Sequence, residues 1–178
     1  LCAALGGGLR ACAWTLALFA SLPLTAVLAM GMQTELPTSA LLASVAVLGF
    51  APASHRTLLA GCALLGLLAA TKLAAAGFAA CMLPWLAWRH RSALDFGTAA
   101  GGLALLAVLG GSSYVHAWVI AGNPVLPLMN DVFGSPYFGG HFRDERWHAG
   151  FGPLLPWRLT FDTGRYLEAY PGGGGFVL

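Results

Sequence analysis

Lys72 is the only lysine in the chain, and it interrupts an otherwise apolar stretch over 57–88. A charged side chain within a membrane segment costs roughly 2.5–3.5 kcal/mol on insertion scales, so it tends to face a polar cavity or a ligand. At an outer interface Lys72 could hold a phosphate or pyrophosphate as a point charge. The plain alternative is a long side chain snorkelling to the headgroups. Glu35, in Gln33-Thr34-Glu35-Leu36-Pro37, is a lone carboxylate between two apolar runs. It could bind a metal, position a phosphate-bound cation, or act as an acid or base. It could equally be a hydrophilic loop residue, with Thr38 or Ser39 near a helix start.

Two later stretches combine aromatics with arginine: Leu155-Pro156-Trp157-Arg158-Leu159-Thr160-Phe161 and Thr163-Gly164-Arg165-Tyr166-Leu167-Glu168. Stacking on aromatic rings and bidentate guanidinium contacts suit a sugar- and phosphate-binding surface, or an amphipathic element at a membrane interface. His116 lies between Tyr114 and Trp118, as a metal ligand or a hydrogen-bonded interfacial residue. The dense polar cluster at 141–148 reads mostly as solvated surface. Cys2, Cys12, Cys62 and Cys81 lie in or beside apolar runs without metal-ligand spacing and read as small core residues. No glycine cluster sits in a strand–turn–helix phosphate signature, so nucleotide cradling is not expected.

The elements that position these residues follow from composition. The chain has 178 residues, 58% hydrophobic and only 9% charged, with a mean hydropathy of +0.74. Soluble domains carry about 25% charged residues. The expected fold class is therefore all-α, a polytopic transmembrane helical bundle with an external loop region of short helices. A net charge of +2, with no basic patch interleaved with aromatics, argues against nucleic acid as a partner. The run 11–32 has about the ~20 residues needed to cross a bilayer, with a kink expected at Pro23. The run 38–53 is shorter and is followed by His55-Arg56. The stretch 57–88 is too long for one comfortable span, and a last run covers 96–120. Basic residues mark cytoplasmic ends, which places Arg10, Arg56, Arg89 and Arg91 inside. The stretch 57–88 then crosses twice, as two short helices with Lys72 at the outer turn. Residues 1–121 form the membrane region, about five crossing segments of which two are short. Residues 122–174 form an external loop, and 175–178 open a further span. The chain reads as an internal piece of a longer membrane protein, with membrane lipids as partners.

The junction 121–138, AGNPVLPLMNDVFGSPYF, packs helix breakers among apolar residues. Pro124 stops the preceding helix, because proline disfavours helix in the residue before it and has no N–H to donate. An apolar, broken, aromatic-ended segment fits a membrane–water boundary, or a surface loop in need of anchoring.

Three stretches together resemble the bacterial GT-C class of integral-membrane glycosyltransferases, in particular the protein O-mannosyltransferase and aminoarabinose-transferase group. Thr34-Glu35-Leu36-Pro37 is similar to an external carboxylate preceding a helix, where Thr-Asp is usual. Ala69-Ala70-Thr71-Lys72-Leu73 resembles a Thr-Lys turn between two short helices. Gly122-Asn123-Pro124-Val125-Leu126-Pro127, with Asn130 and Ser135-Pro136-Tyr137, resembles a Gly-Asn-Pro stretch that follows a span. The resemblance implies transfer of a sugar from a polyprenyl-phosphate donor to a lipid, glycan or protein acceptor on the outer face. It implies a principal catalytic carboxylate upstream of Leu1, with Glu35 orienting the acceptor or a divalent metal. Lys72, Arg158 and Arg165 would meet the donor phosphate, and Asn123, Asn130 and Tyr137 would shape the outer cavity. A transporter or flippase for lipid-linked glycans, a polymerase- or ligase-type protein, and a non-catalytic scaffold are the competing readings.

Overall fold

The structure, a computed structural model, describes residues 1–30, 34–137, 139 and 152–162. Among these residues every regular element is helical and no strand is present. The chain divides into two compact units. The larger is built from Leu1, Ala3–Gly6 and the described part of 37–142; the second takes Cys2, 7–36 and the described part of 143–178.

In the second unit, the run expected as one kinked span is two helices, α1 (Leu9–Ser21) and α2 (Pro23–Met30). Leu22 between them is extended, with φ −65° and ψ 125°. Proline forces this break, since the residue before it is pushed out of the helical region and Pro23 has no N–H to offer the preceding turn. With 13 residues α1 is about 20 Å long, short of a hydrocarbon core of ~30 Å. A short helix, α8 (Leu155–Phe161), carries Pro156 near its start, where a missing N–H costs nothing. Trp157 and Phe161 lie against each other on it, with ring centroids 4.1 Å apart.

Four longer helices make the larger unit. α3 (Glu35–Phe50) enters it at Pro37 and is followed by α4 (His55–Thr71), α5 (Leu73–Arg89) and α6 (Phe96–Ala121). Their ends are set locally. The Ser54 hydroxyl accepts the Thr57 N–H at 3.1 Å and starts α4, and the Asp95 carboxylate accepts the Thr98 N–H at 2.7 Å and starts α6. Gly122 ends α6 in the left-handed region, φ +69°, and donates its N–H to the Trp118 carbonyl at 2.8 Å. The stretch 57–88 is thus divided between α4 and α5, with Lys72 alone between them in extended backbone, φ −167° and ψ 157°. A four-residue helix, α7 (Asn130–Phe133), lies within the loop after α6.

Side-chain pairings fix the helix directions. His55 meets Thr98 and Ala69 meets Tyr114, so α4 and α6 run parallel. Gly61 packs on Leu86, near the opposite end of its helix, so α5 returns antiparallel to α4. Thr38 bonds Thr71, while the Leu48 and Gly49 carbonyls meet His90 and Arg89, so α3 runs with α5. The four helices therefore alternate up and down. Arg56, Arg89 and Arg91 fall at one end, called the base below. Lys72 and the exit of α6 at Gly122 fall at the other, the tip. The core is formed by Val45, Leu58, Cys62, Leu65, Leu68, Ala75, Ala79 and Leu86. α4 and α6 approach so closely that a Cβ on Gly66 would sit 3.1 Å from the Leu106 Cα.

Among the described residues one helix, α6 with 26 residues, is long and apolar enough to cross a membrane. α1, α3, α4 and α5 are apolar but have 13, 16, 17 and 17 residues.

Candidate functional site

The tip of the larger unit is built around the break at Lys72. The last four carbonyls of any α-helix lack partners within it, and two of those in α4 are met by hydroxyls. Thr71 donates to the Leu68 carbonyl at 2.7 Å, and Tyr114 of α6 donates to the Ala69 carbonyl at 2.8 Å. With its hydrogen committed, Thr71 accepts from Thr38 at 3.2 Å, which ties the start of α3 to the end of α4. The Lys72 carbonyl accepts the N–H groups of Ala75 and Ala76 at 2.9 and 3.2 Å and opens α5. Lys72 itself is half-buried. A cation is favoured at the C-terminus of α4 and disfavoured at the N-terminus of α5. These opposing effects leave no net helix-dipole reason for a lysine at this position.

Beyond α6, the loop 122–137 closes on itself through two buried amides. Asn123, 0% exposed, donates through Nδ2 to the Leu128 carbonyl at 2.9 Å and to Asn130 Oδ1 at 3.2 Å, and its Oδ1 accepts the Val125 N–H at 2.9 Å. Asn130, 4% exposed, donates to the Ser135 carbonyl and accepts the Ser135 N–H, both at 2.9 Å. Met129 takes the left-handed conformation, φ +52°, and the Leu126–Pro127 peptide is cis. These hydrogen bonds tie both asparagines into the loop. The Tyr137 side chain does not join them: the residue is 63% exposed, and its backbone N–H reaches the Ser135 hydroxyl at 3.5 Å.

Of the other predicted site residues, Glu35 is half-buried as the first residue of α3, where a carboxylate suits the helix N-terminus. Arg158 is exposed on α8. Both belong to the second unit. Arg165, the polar cluster at 141–148 and the segment 175–178 lie outside the described residues, as does nearly half of the loop expected over 122–174. His116 is exposed on α6. Among the described residues no group of three or more His, Cys, Asp or Glu could hold a metal ion. A magnesium ion commonly takes one or two carboxylates and completes its shell with water and substrate phosphates, and Glu35 would be one such carboxylate.

The base carries polar contacts that the sequence did not reveal, Arg89 having served there only as a topology marker. Arg89 Nε donates to the Gly49 carbonyl at 2.9 Å, and fully buried His90 pairs through Nε2 with the Leu48 carbonyl at 3.0 Å. These two side chains cap the C-terminus of α3 from the end of α5. The Arg89 guanidinium also lies 5.9 Å from the centre of the Phe50 ring. Between α4 and α6, His55 Nδ1 lies 2.7 Å from the Thr98 hydroxyl and 3.7 Å from an Asp95 carboxylate oxygen. The Thr98 backbone N–H, then its hydroxyl, hold the Asp95 carboxyl below its ordinary range, with a smaller contribution from His55. The signal for this cluster was available as Asp95-x-x-Thr98 before an apolar run, an N-cap pattern.

Compared with known protein families, with curated proteins and with solved structures, the chain finds no match in any of the three.

Proposed function

We propose that the chain is part of a polytopic membrane glycosyltransferase that moves a sugar from polyprenyl phosphate to an acceptor on the outer face. The observation that carries this reading is the placement of Lys72. It stands at the break between two short apolar helices, at the end of the unit opposite Arg56, Arg89 and Arg91. Helices of 16 or 17 residues are about 24–26 Å long, near the lower limit of ~17 residues for a span. Alternating directions with the arginines at one end support four crossings, base inward and tip outward. A cation at the outward helix break then suits a lipid-linked phosphate.

In the reaction, an acceptor hydroxyl oxygen attacks the anomeric carbon as the bond from that carbon to the phosphate oxygen breaks. Polyprenyl phosphate leaves with the electron pair, and a carboxylate takes the hydroxyl proton. Lys72 stabilises the charge gathering on the leaving phosphate, and Glu35 orients the acceptor. Arg158 and Arg165 are further candidates for the donor phosphate. The Asn123–Asn130 loop gives the outer surface a fixed shape, and Tyr137 offers an exposed ring for a sugar face.

The test is transfer from a polyprenyl-phosphate sugar by the complete protein in liposomes. Lys72→Ala and Glu35→Gln should each lower transfer at least tenfold, a loss of about 1.4 kcal/mol in transition-state stabilisation. Full activity in either variant removes that residue from the site. A discontinuous helix pair is also a transporter feature, so transport of a lipid-linked glycan is the second reading. Movement of the lipid without sugar turnover would select it.

A further inference from the structure

We propose that the groove between α3 and α4 seats one acyl chain of an anionic phospholipid, with the lipid phosphate on Arg56. This inference rests on the membrane embedding proposed above but not on sugar transfer. The groove has a volume of about 680 Å³ and is lined by Ala43, Val47 and Leu48 of α3 and Ala60, Ala63 and Leu64 of α4, with Ser44 and Leu1 beside them. Its volume is within the ~300–1,000 Å³ of ordinary ligand pockets. Ser44, the one polar side chain in the lining, donates to the Ala40 carbonyl at 2.7 Å, leaving a wall fit for hydrocarbon.

Charge and length point to the occupant. Arg56 is exposed in the first turn of α4, four residues before Ala60 and therefore on the same helix stripe as Ala60, Ala63 and Leu64. It stands at the base end of the groove. The distance from Arg56 to Leu64 along α4 is about 12 Å, close to the depth of one leaflet in a hydrocarbon core of ~30 Å. A cation at headgroup depth, with an aliphatic trough running inward for one leaflet, has the polarity and the reach of a single phospholipid. Basic sites beside membrane helices recruit anionic headgroups, each arginine contributing about 1 kcal/mol.

The experiment uses the complete protein. Extraction with alkaline carbonate comes first. Release into the soluble fraction would sink both the membrane reading and this inference. The protein is then placed in nanodiscs that mix phosphatidylcholine and phosphatidylglycerol, with a photoactivatable acyl chain on one lipid or the other. Crosslinks from phosphatidylglycerol should map to α3 and α4 and exceed those from phosphatidylcholine. Arg56→Gln should lower the phosphatidylglycerol yield about fivefold, the factor that corresponds to about 1 kcal/mol, and leave the phosphatidylcholine yield unchanged. Arg56→Lys should keep most of the preference. Ala63→Phe, which fills the trough, should abolish the crosslinks from both lipids. Equal yields from the two lipids in the unaltered protein, or an Arg56→Gln variant with undiminished preference, would overturn the proposal. So would crosslinks from this groove to a second copy of the chain in place of lipid. Sugar transfer that survives any of the crosslinking results leaves the proposed function standing.

Discussion

Gly66 offers a direct test of how α4 and α6 are held. A Cβ at this position would meet the Leu106 Cα and the Leu109 Cβ at 3.1 Å and the Leu106 carbonyl oxygen at 3.2 Å. Carbon atoms in good contact stand about 3.5–4.0 Å apart, so Gly66→Ala must push the helices apart by about 0.4 Å or more. Two of the obstructing atoms are backbone, and no rotamer change can clear them. The separation also loads the bonds at either end of the pair, His55 to Thr98 at 2.7 Å and Tyr114 to Ala69 at 2.8 Å. Overpacking of this kind costs about 1–3 kcal/mol, against which replacing a helical glycine by alanine returns about 0.8–1.0 kcal/mol. Gly111 supplies the control, since a Cβ there meets nothing within 4 Å. Gly111→Ala should therefore stabilise the protein by the propensity gain alone. The assay is unfolding of the complete protein in mixed micelles with increasing dodecyl sulfate, followed by far-ultraviolet circular dichroism. Gly66→Ala should be less stable than Gly111→Ala by about 1–3 kcal/mol. Equal stabilisation by the two substitutions would refute the close α4–α6 crossing and the helix directions inferred from it.

Asn130→Ala should open the loop after α6, because it strips the Ser135 N–H, the Ser135 carbonyl and the Asn123 amide of a partner at once. Each buried group left unpaired costs about 1–3 kcal/mol; faster amide exchange at Ser135 and new proteolysis within 123–135 would register it, and unchanged protection would count against the network. Asp95 gives a pH dependence of known sign. Its folded carboxyl titrates below the ordinary 3.8, so its contribution to stability is present above that value and is lost as pH falls through the lower folded one. Thr98→Val removes the hydroxyl bond and should raise the carboxyl midpoint measured by NMR, whereas an unmoved midpoint would leave the hydroxyl without a part in the shift.

The sequence made the break at Lys72 legible because the stretch 57–88 is too long for one comfortable span, carries basic residues at both ends and is interrupted near its middle by the only lysine. The stop before Pro124 was legible for a local reason, since it depends on one residue's backbone, whereas the left-handed cap at Gly122 was not read from the sequence. Pro23 was read as a kink, but the chain breaks there, because the extended Leu22 separates α1 from α2. The Asn123–Asn130–Ser135 network could not be read, since its bonds exist only after the loop has closed over five to seven residues. Likewise, capping of α3 by Arg89 and His90 joins residues about forty positions apart. In the sequence Arg89 carried a topology signal, and in the fold it also completes a helix end together with His90.

The outward face of α6 bears most directly on where this chain resides. Leu103, Val108, Val115, Trp118, Val119 and Ile120 are each more than half exposed, and only 6% of the most apolar window of this helix is buried. Fully burying a large apolar side chain is worth about 1.5–3 kcal/mol, so the partial exposure of these six residues in water forgoes on the order of 5–10 kcal/mol. That is comparable to the whole stability of a domain, about 5–15 kcal/mol. A soluble helix this apolar would turn these residues into a core, but α6 instead directs its small residues, Gly102 and Gly110, towards α4 and its large ones outward. This arrangement inverts the usual soluble pattern, and it is stable where the surroundings are as apolar as the side chains and helices associate through small-residue packing. A lipid bilayer would supply both conditions over the ~20 residues that cross its hydrocarbon core. A partner protein would have to cover several sides of one helix to do the same.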